Sequence, residues 1–152
     1  MCGRFALFAS ENDIIAHYRL SKGFSMRARY NIAPSQTIPV ITHLGKQVEF
    51  FRWGFIPAWA KSKDTMDPTI PAGFINARWE TLDEKPAFKK AFTAQRCLIP
   101  SNGFFEWRTI SAKKQPYYIH LADQSLISFA GIWSVWRSPR SYRHCSPAMP
   151  GF

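Results

Sequence analysis

Four apolar-rich runs follow one another late in the chain: "RCLIP" at 96–100, "GFFEWRT" at 103–109, "PYYIHL" at 116–121 and "LISFAGIW" at 126–133. Each has the length and the aromatic and β-branched content of a strand. "ISAKKQ" joins the second and third as a hairpin, and Asn102-Gly103 is a turn signal between the first two. Upstream, "IPVITH" and "QVEFFRW" form another hairpin across "LGK", and residues 2–8 read as a short strand. Two helices interrupt the strands. "SENDIIAHYRL" has Ser10 as N-cap with Asp13 three residues on, as in a capping box, and Ile14, Ile15 and Tyr18 share a face. "DEKPAFKKAF" places Phe88 and Phe92 one turn apart. About six or seven strands to two helices predict an α+β fold, mainly antiparallel β. Residues 21–37 are expected to be a loop, and the Pro- and Gly-rich 54–74 a long surface loop of the kind that carries function.

The tail "RSPRSYRHCSPAMPGF" has three prolines, three serines and no periodicity. It reads as an untethered end, with no strand after "GIWSVW". The expected organisation is one domain over 1–136 and an atypical basic tail over 137–152, with the sheet incomplete at its C-terminal side.

The 152 residues carry 20 Lys and Arg against 10 Asp and Glu, a net charge of +10. A polyanionic partner is the first reading of that balance, against the alternative of a merely soluble basic protein. Aromatic residues at 16% favour single-stranded nucleic acid, because bases stack on rings while cations follow phosphates. Arg4, Arg52, Trp53, Trp59, Arg78 and Trp79 interleave in that way. Three cysteines, Cys2, Cys97 and Cys145, are too few and too odd for a disulfide framework and fit a reducing compartment. No CxxC or HxxxH pair suggests zinc, no apolar run reaches the length of a membrane span, and the start lacks the pattern of a signal peptide. An intracellular protein is expected.

Three stretches can carry chemistry. Cys2 lies directly behind Met1, and removal of that methionine would leave an α-amine and a thiol on adjacent carbons. Their ordinary pKa values are near ~8 and ~8.5, so both are partly available as nucleophiles. A 1,2-aminothiol condenses with an aldehyde to an imine that the thiol closes into a five-membered thiazolidine. It can also serve in acyl transfer with its own amine as base. The plain alternative is a small residue at an unprocessed terminus. In "FINARWET", Asn76 and Arg78 alternate on one side of an extended segment; an Asn can hold a reacting oxygen and an Arg can clamp a phosphate. The alternative there is a polar edge strand. In "PSNGFFEWR", Glu106 sits among bulky aromatics, which suits a general acid or base if it points inward, and a surface ion pair if it points outward. Cys97 reads as a buried strand residue, and His17, His43 and His120 sit in separate elements with no visible partner.

"MCGRF", "RYNIAPSQ", "WGFIPAWA", "INARWET", "CLIPSNGFFEW" and "KQPYYIH" occur in this order. Over residues 2 to about 133 the chain resembles the SRAP family of SOS response-associated peptidase-like, or abasic site processing, proteins. The resemblance implies a barrel-like sheet with short helices and a protein that binds single-stranded DNA and crosslinks to abasic sites in the DNA damage response. By match of motif, Cys2 would form the thiazolidine with the ring-opened deoxyribose aldehyde, Asn76 would position the sugar, and Glu106 would be the acid/base. Arg4 and Arg78 fall where the family holds DNA phosphates, Trp59 in the loop that stacks on or wedges the strand, and Asn31 near the same pocket. No cofactor and no metal are implied, and a monomer in the cytoplasm or nucleoid of a bacterium, or the nucleus of a eukaryote, is expected. The peptidase label reflects release of whatever precedes the cysteine, here Met1 alone.

The family also carries a later histidine in an "IHxRMP"-like motif. "RHCSPAMP" echoes its letters too early in the chain, so no role is assigned to His144. Two alternatives follow. One is a non-catalytic single-stranded DNA binder or inactive truncated product. The other is an N-terminal nucleophile amidohydrolase, whose members also start "MCG", although "CGRF" replaces their usual "CGI" and no companion glycine-aspartate signature is present.

Overall fold

The computed structural model describes residues 2–42, 47–59, 74–136 and 142–149. The elements in chain order are β1 (Arg4–Leu7), α1 (Glu11–Tyr18), β2 (Arg29–Ile32), β3 (Thr37–Thr42), β4 (Val48–Trp53), β5 (Ala77–Arg78), α2 (Pro86–Ala94), β6 (Arg96–Ser101), β7 (Gly103–Ile110), β8 (Lys113–Ile119), β9 (Ile127–Trp136) and β10 (Tyr142–Met149). A 3-10 turn, Trp79–Thr81, follows β5.

The strands form two sheets. One has four strands in the order β2-β1-β7-β8. The other runs β4-β3-β6-β9-β10-β5, and β10 also pairs with β4. That last pairing joins the ends of the run, so β4, β3, β6, β9 and β10 make a closed ring. All pairings are antiparallel except those of β10 with β4 and with β5. The antiparallel-dominated α+β class expected from the sequence is the class found.

Local chemistry explains several boundaries. Ser10 caps α1: its Oγ accepts from the Asp13 N–H at 3.1 Å, and Asp13 Oδ2 accepts from the Ser10 N–H at 3.3 Å. This is the capping box read from sequence. Arg19 ends the helix in the left-handed region, φ 52°. Pro86 opens α2 at a position where its missing N–H is not needed. Between β7 and β8, Ser111 and Ala112 both take positive φ, 46° and 65°, which suits the two-residue turn of a tightly twisted hairpin.

Two expectations are corrected and one is refined. The loop expected over 21–37 contains β2. Only Ile32 of that strand is fully buried, so it carries no apolar alternation to read. Asn102-Gly103 turns the chain as its signal suggested, and the turn is a buried corner where the chain leaves the ring and enters the four-stranded sheet. Asn102 is 6% exposed, and its Oδ1 accepts from the Phe8 and Ala9 N–H groups at 2.8 and 2.9 Å. The end expected to be untethered contains β10, which closes the ring that the sequence reading left incomplete. Cys145 is fully buried there, paired with Trp133 on β9 and Trp53 on β4. His43 and most of the long loop after Trp59 lie outside the described residues.

The main core fills the space between the sheets. Phe5 is its hinge, with its ring 5.3 Å from Trp53 and 5.8 Å from Phe129. A second cluster of Phe55, Ala77, Leu82, Phe88, Ala91 and Ile132 seats α2 against β9. The core therefore clamps β1 from inside and holds β5 from behind. These two short strands carry the N-terminal cysteine and the "INAR" segment.

Candidate active site

Cys2 precedes β1 by two residues and is 1% exposed. Its Sγ–H donates to the Arg4 carbonyl at 3.3 Å. Burial pushes the thiol up to about 11, and the Glu106 carboxylate adds to the rise by disfavouring a second negative charge nearby. The Arg4 backbone offsets part of this. The thiol is thus a protonated group at neutral pH.

Glu106 reaches the cysteine through strand pairing. β1 pairs with β7 so that Arg4 faces Phe105 and Phe5 faces Phe104. One step further along the same register puts Glu106 beside Gly3. A side-chain carbon built on Gly3 would meet nothing within 4 Å among the described residues. The carboxylate is half-buried, and the space next to it is open.

Asn76 arrives from the other side. Its Nδ2 donates to the Cys2 carbonyl at 2.8 Å. Its Oδ1 is buried and has no hydrogen-bond partner among the described residues. A buried acceptor left unpaired is destabilising by about 1–3 kcal/mol, and this oxygen is free to accept from a donor placed beside it. β5 holds Asn76 in place because Ala77 and Arg78 pair with Ala148 and Met149 of β10.

Three residues far apart in sequence, Asn76 lying 74 positions after Cys2 and Glu106 further still, therefore converge at the start of β1. The arrangement brings a thiol, a carboxylate and an unpaired amide oxygen to one end of that strand. Arg78 follows Asn76 by two positions and is exposed. Arg4 is half-exposed, and its Nη1 donates to Asn31 Oδ1 at 3.2 Å across β1 and β2. Trp59 is 70% exposed at the edge of the described residues. The two arginines, Asn31 and Trp59 thus lie at the surface rather than in the buried group. Gly3 was not singled out from the sequence, although it stands between two singled-out residues. Its role shows only once β7 is placed beside it.

The other thiols are of a different kind. Burial pushes Cys97 up to about 12 and Cys145 well above its ordinary range. Cys97 is the buried strand residue its context suggested. Among the described residues, no group of three or more His, Cys, Asp or Glu side chains is placed to hold a metal ion. None of the described helices is long and apolar enough to cross a membrane.

The family described as SOS response associated peptidase (SRAP) matches residues 1–148. Abasic site processing protein YoqW of Bacillus subtilis is 41% identical over 145 residues, covering 91% of this chain and 62% of that protein. Abasic site processing protein HMCES of Xenopus tropicalis is 26% identical over 181 residues, covering 91% of this chain and 53% of its own length. The chain thus spans less than two thirds of these curated relatives. A solved protein from Bacteroides thetaiotaomicron superposes with a TM-score of 0.82 at 30% identity, over 95% of this chain and 66% of the other. By the extent of the family match and the identity to its relatives, the chain belongs to the SOS response associated peptidase (SRAP) family.

Proposed function

We propose that this protein captures abasic sites in single-stranded DNA by forming a thiazolidine through Cys2, once Met1 has been removed. The observation that carries the reading is the convergence of Cys2, Asn76 and Glu106 at the start of β1. Relatives at up to 41% identity are named abasic site processing proteins, which supports the substrate.

The chemistry balances with loss of one water. The freed α-amine attacks the aldehyde carbon of the ring-opened sugar and gives a carbinolamine. Protonation of its hydroxyl by the Glu106 carboxyl releases water and leaves the protonated imine. The Cys2 sulfur then adds to the same carbon. Its proton passes to the Glu106 carboxylate, and the imine nitrogen keeps its own proton as the ring amine. A buried thiol needs a base for this step, and Glu106 is the carboxylate whose charge it feels. Asn76 Oδ1 accepts from a sugar or carbinolamine hydroxyl and so satisfies its own missing bond. Arg4, steadied by Asn31, and Arg78 hold the phosphates on either side, and Trp59 stacks beside the lesion.

The test is the product formed with an abasic single strand. The expected adduct survives without reductant. In Cys2→Ser it becomes a reversible imine, trapped only by borohydride. An equally stable adduct in Cys2→Ser would refute ring closure by sulfur. Salt-sensitive binding with no covalent product in the processed protein would leave a binder rather than a capturing enzyme.

A further inference from the structure

We infer that the outer face of the four-stranded sheet carries a second nucleobase platform, built from Phe8, Tyr30, Tyr118 and His120, that holds the single strand away from the reacting end. The inference rests on the reading that the substrate is single-stranded DNA.

The pleat of β1 sends Phe5 and Leu7 into the core. Arg4, Ala6 and Phe8 therefore point to the opposite face, where Ala6 is covered and Arg4 and Phe8 reach the surface. Pairing carries that outer face across the sheet: Arg4 lies opposite Phe105, Ala6 opposite Gly103, and Phe105 opposite Tyr118. Phe8 stacks on Tyr30 with ring centroids 5.2 Å apart and an interplanar angle of 17°. Tyr118 stacks on His120 at 5.2 Å and 25°. Each pair presents rings at an open surface, with Phe8 at 36%, Tyr30 at 65% and Tyr118 at 37% exposure.

Two features show that these rings are positioned rather than merely left over. The Tyr118 ring lies directly over Gly103: a Cβ there would come within 2.6 Å of its Cζ and its hydroxyl oxygen. Only glycine leaves room for the ring this close to the sheet. Phe8 is pinned by Asn102, whose Oδ1 holds the backbone of Phe8 and Ala9. Between the two stacks is a cleft of about 130 Å³ lined by Phe8, Asn102, Tyr118, His120 and Gln124. It shares Phe8, Asn102 and Gln124 with a larger cleft of about 690 Å³ that reaches His17. The acidic side chain on these walls, Asp13, is held by Ser10 at the start of α1.

The occupant follows from charge and continuity. The molecule carries a net charge of +10, and Arg4 stands on this same face between the platform and Cys2. Six residues of extended chain separate Cys2 from Phe8, about 20 Å. A strand held at Cys2 and following Arg4 would reach the rings a few nucleotides from the lesion. Stacked aromatic pairs flanked by a cation suit bases of any sequence.

Three strands test this: a long single strand with one abasic site, and two strands cut close to the site, one on the 5′ and one on the 3′ side. The variants are Phe8→Ala with Tyr118→Ala, and Tyr118→Phe as the conservative control. The double variant is expected to bind the long strand on the order of tenfold to a hundredfold more weakly. Tyr118→Phe should bind as the parent does. The double variant should match the parent on the one cut strand that no longer reaches the platform, which also gives the polarity. A 2-aminopurine base at the platform position should be quenched by the parent and not by the double variant. Unchanged affinity for the long strand would overturn the platform. So would an equal loss on all three strands, because that reports a damaged fold. Binding is read on undamaged copies of the same strands as well, so absence of the covalent adduct in the parent would overturn the capture reading while leaving the platform result intact.

Discussion

At the scale of the residue, Cys2 combines high burial with a proposed role that needs reactivity. Its thiol sits near a pKa of about 11, so at neutral pH only on the order of one molecule in ten thousand holds a thiolate. The protein retaining Met1 should therefore react with iodoacetamide at Cys2 roughly a hundredfold more slowly than an unperturbed thiol, with a rate rising tenfold per pH unit up to about 11. Removing Met1 puts an ammonium beside the sulfur, which favours the thiolate and should speed the reaction at fixed pH. Peptide mapping of the alkylated protein checks both, and rapid labelling with Met1 in place would contradict the burial argument. The same residue marks a limit of sequence reading. That Cys2, Asn76 and Glu106 lie together was legible only through the family resemblance. Nothing local in "MCGRF" tells that the Asn76 amide will reach the Cys2 carbonyl.

At the scale of the element, strands rich in aromatic and β-branched residues were legible and strands poor in them were not. β6 to β9 stand out by that content, although β6 and β9 bury large side chains while every residue of β8 is exposed. β2 escaped because three of its four residues face solvent or half-solvent. β10 escaped because "YRHCSPAM" holds a proline and few apolar residues, and proline within a run argues against a strand. It is nonetheless a strand because it has partners on both sides, β9 on one and β4 then β5 on the other. Removing residues 137–152 should open the ring between β4 and β9 and release β5, so the shortened chain should lose its cooperative melting transition. A circular-dichroism melt indistinguishable from that of the intact chain would show that β10 does not close the barrel. Asn102 makes a second test. Asn102→Ala strips two backbone N–H groups of their acceptor and should destabilise by about 1–3 kcal/mol in urea unfolding. A mere turn residue would change stability by a few tenths.

At the scale of the whole molecule, two sheets share one core, and the reacting group stands where β1 leaves that core. The four-stranded sheet supplies Cys2 and Glu106, and the ring, through β10 and β5, supplies Asn76. The proposed activity and closure of the barrel would thus be linked through β10. The excess of positive charge acts on the same scale, as a field that would attract a polyanionic strand before any base is read. Affinity for undamaged single-stranded DNA should fall with salt, and Arg78→Ala should reduce the slope of log K against log salt by about 0.7, the loss of one phosphate contact. An unchanged slope would place Arg78 off the DNA path.

The central claim is tested most directly by the intact mass of the processed protein after incubation with single-stranded DNA carrying one abasic site. The account predicts a species equal to protein plus DNA minus one water, stable without reductant and absent in Cys2→Ser. A spectrum that shows Met1 gone and no such species, or the same species in Cys2→Ser, would contradict it.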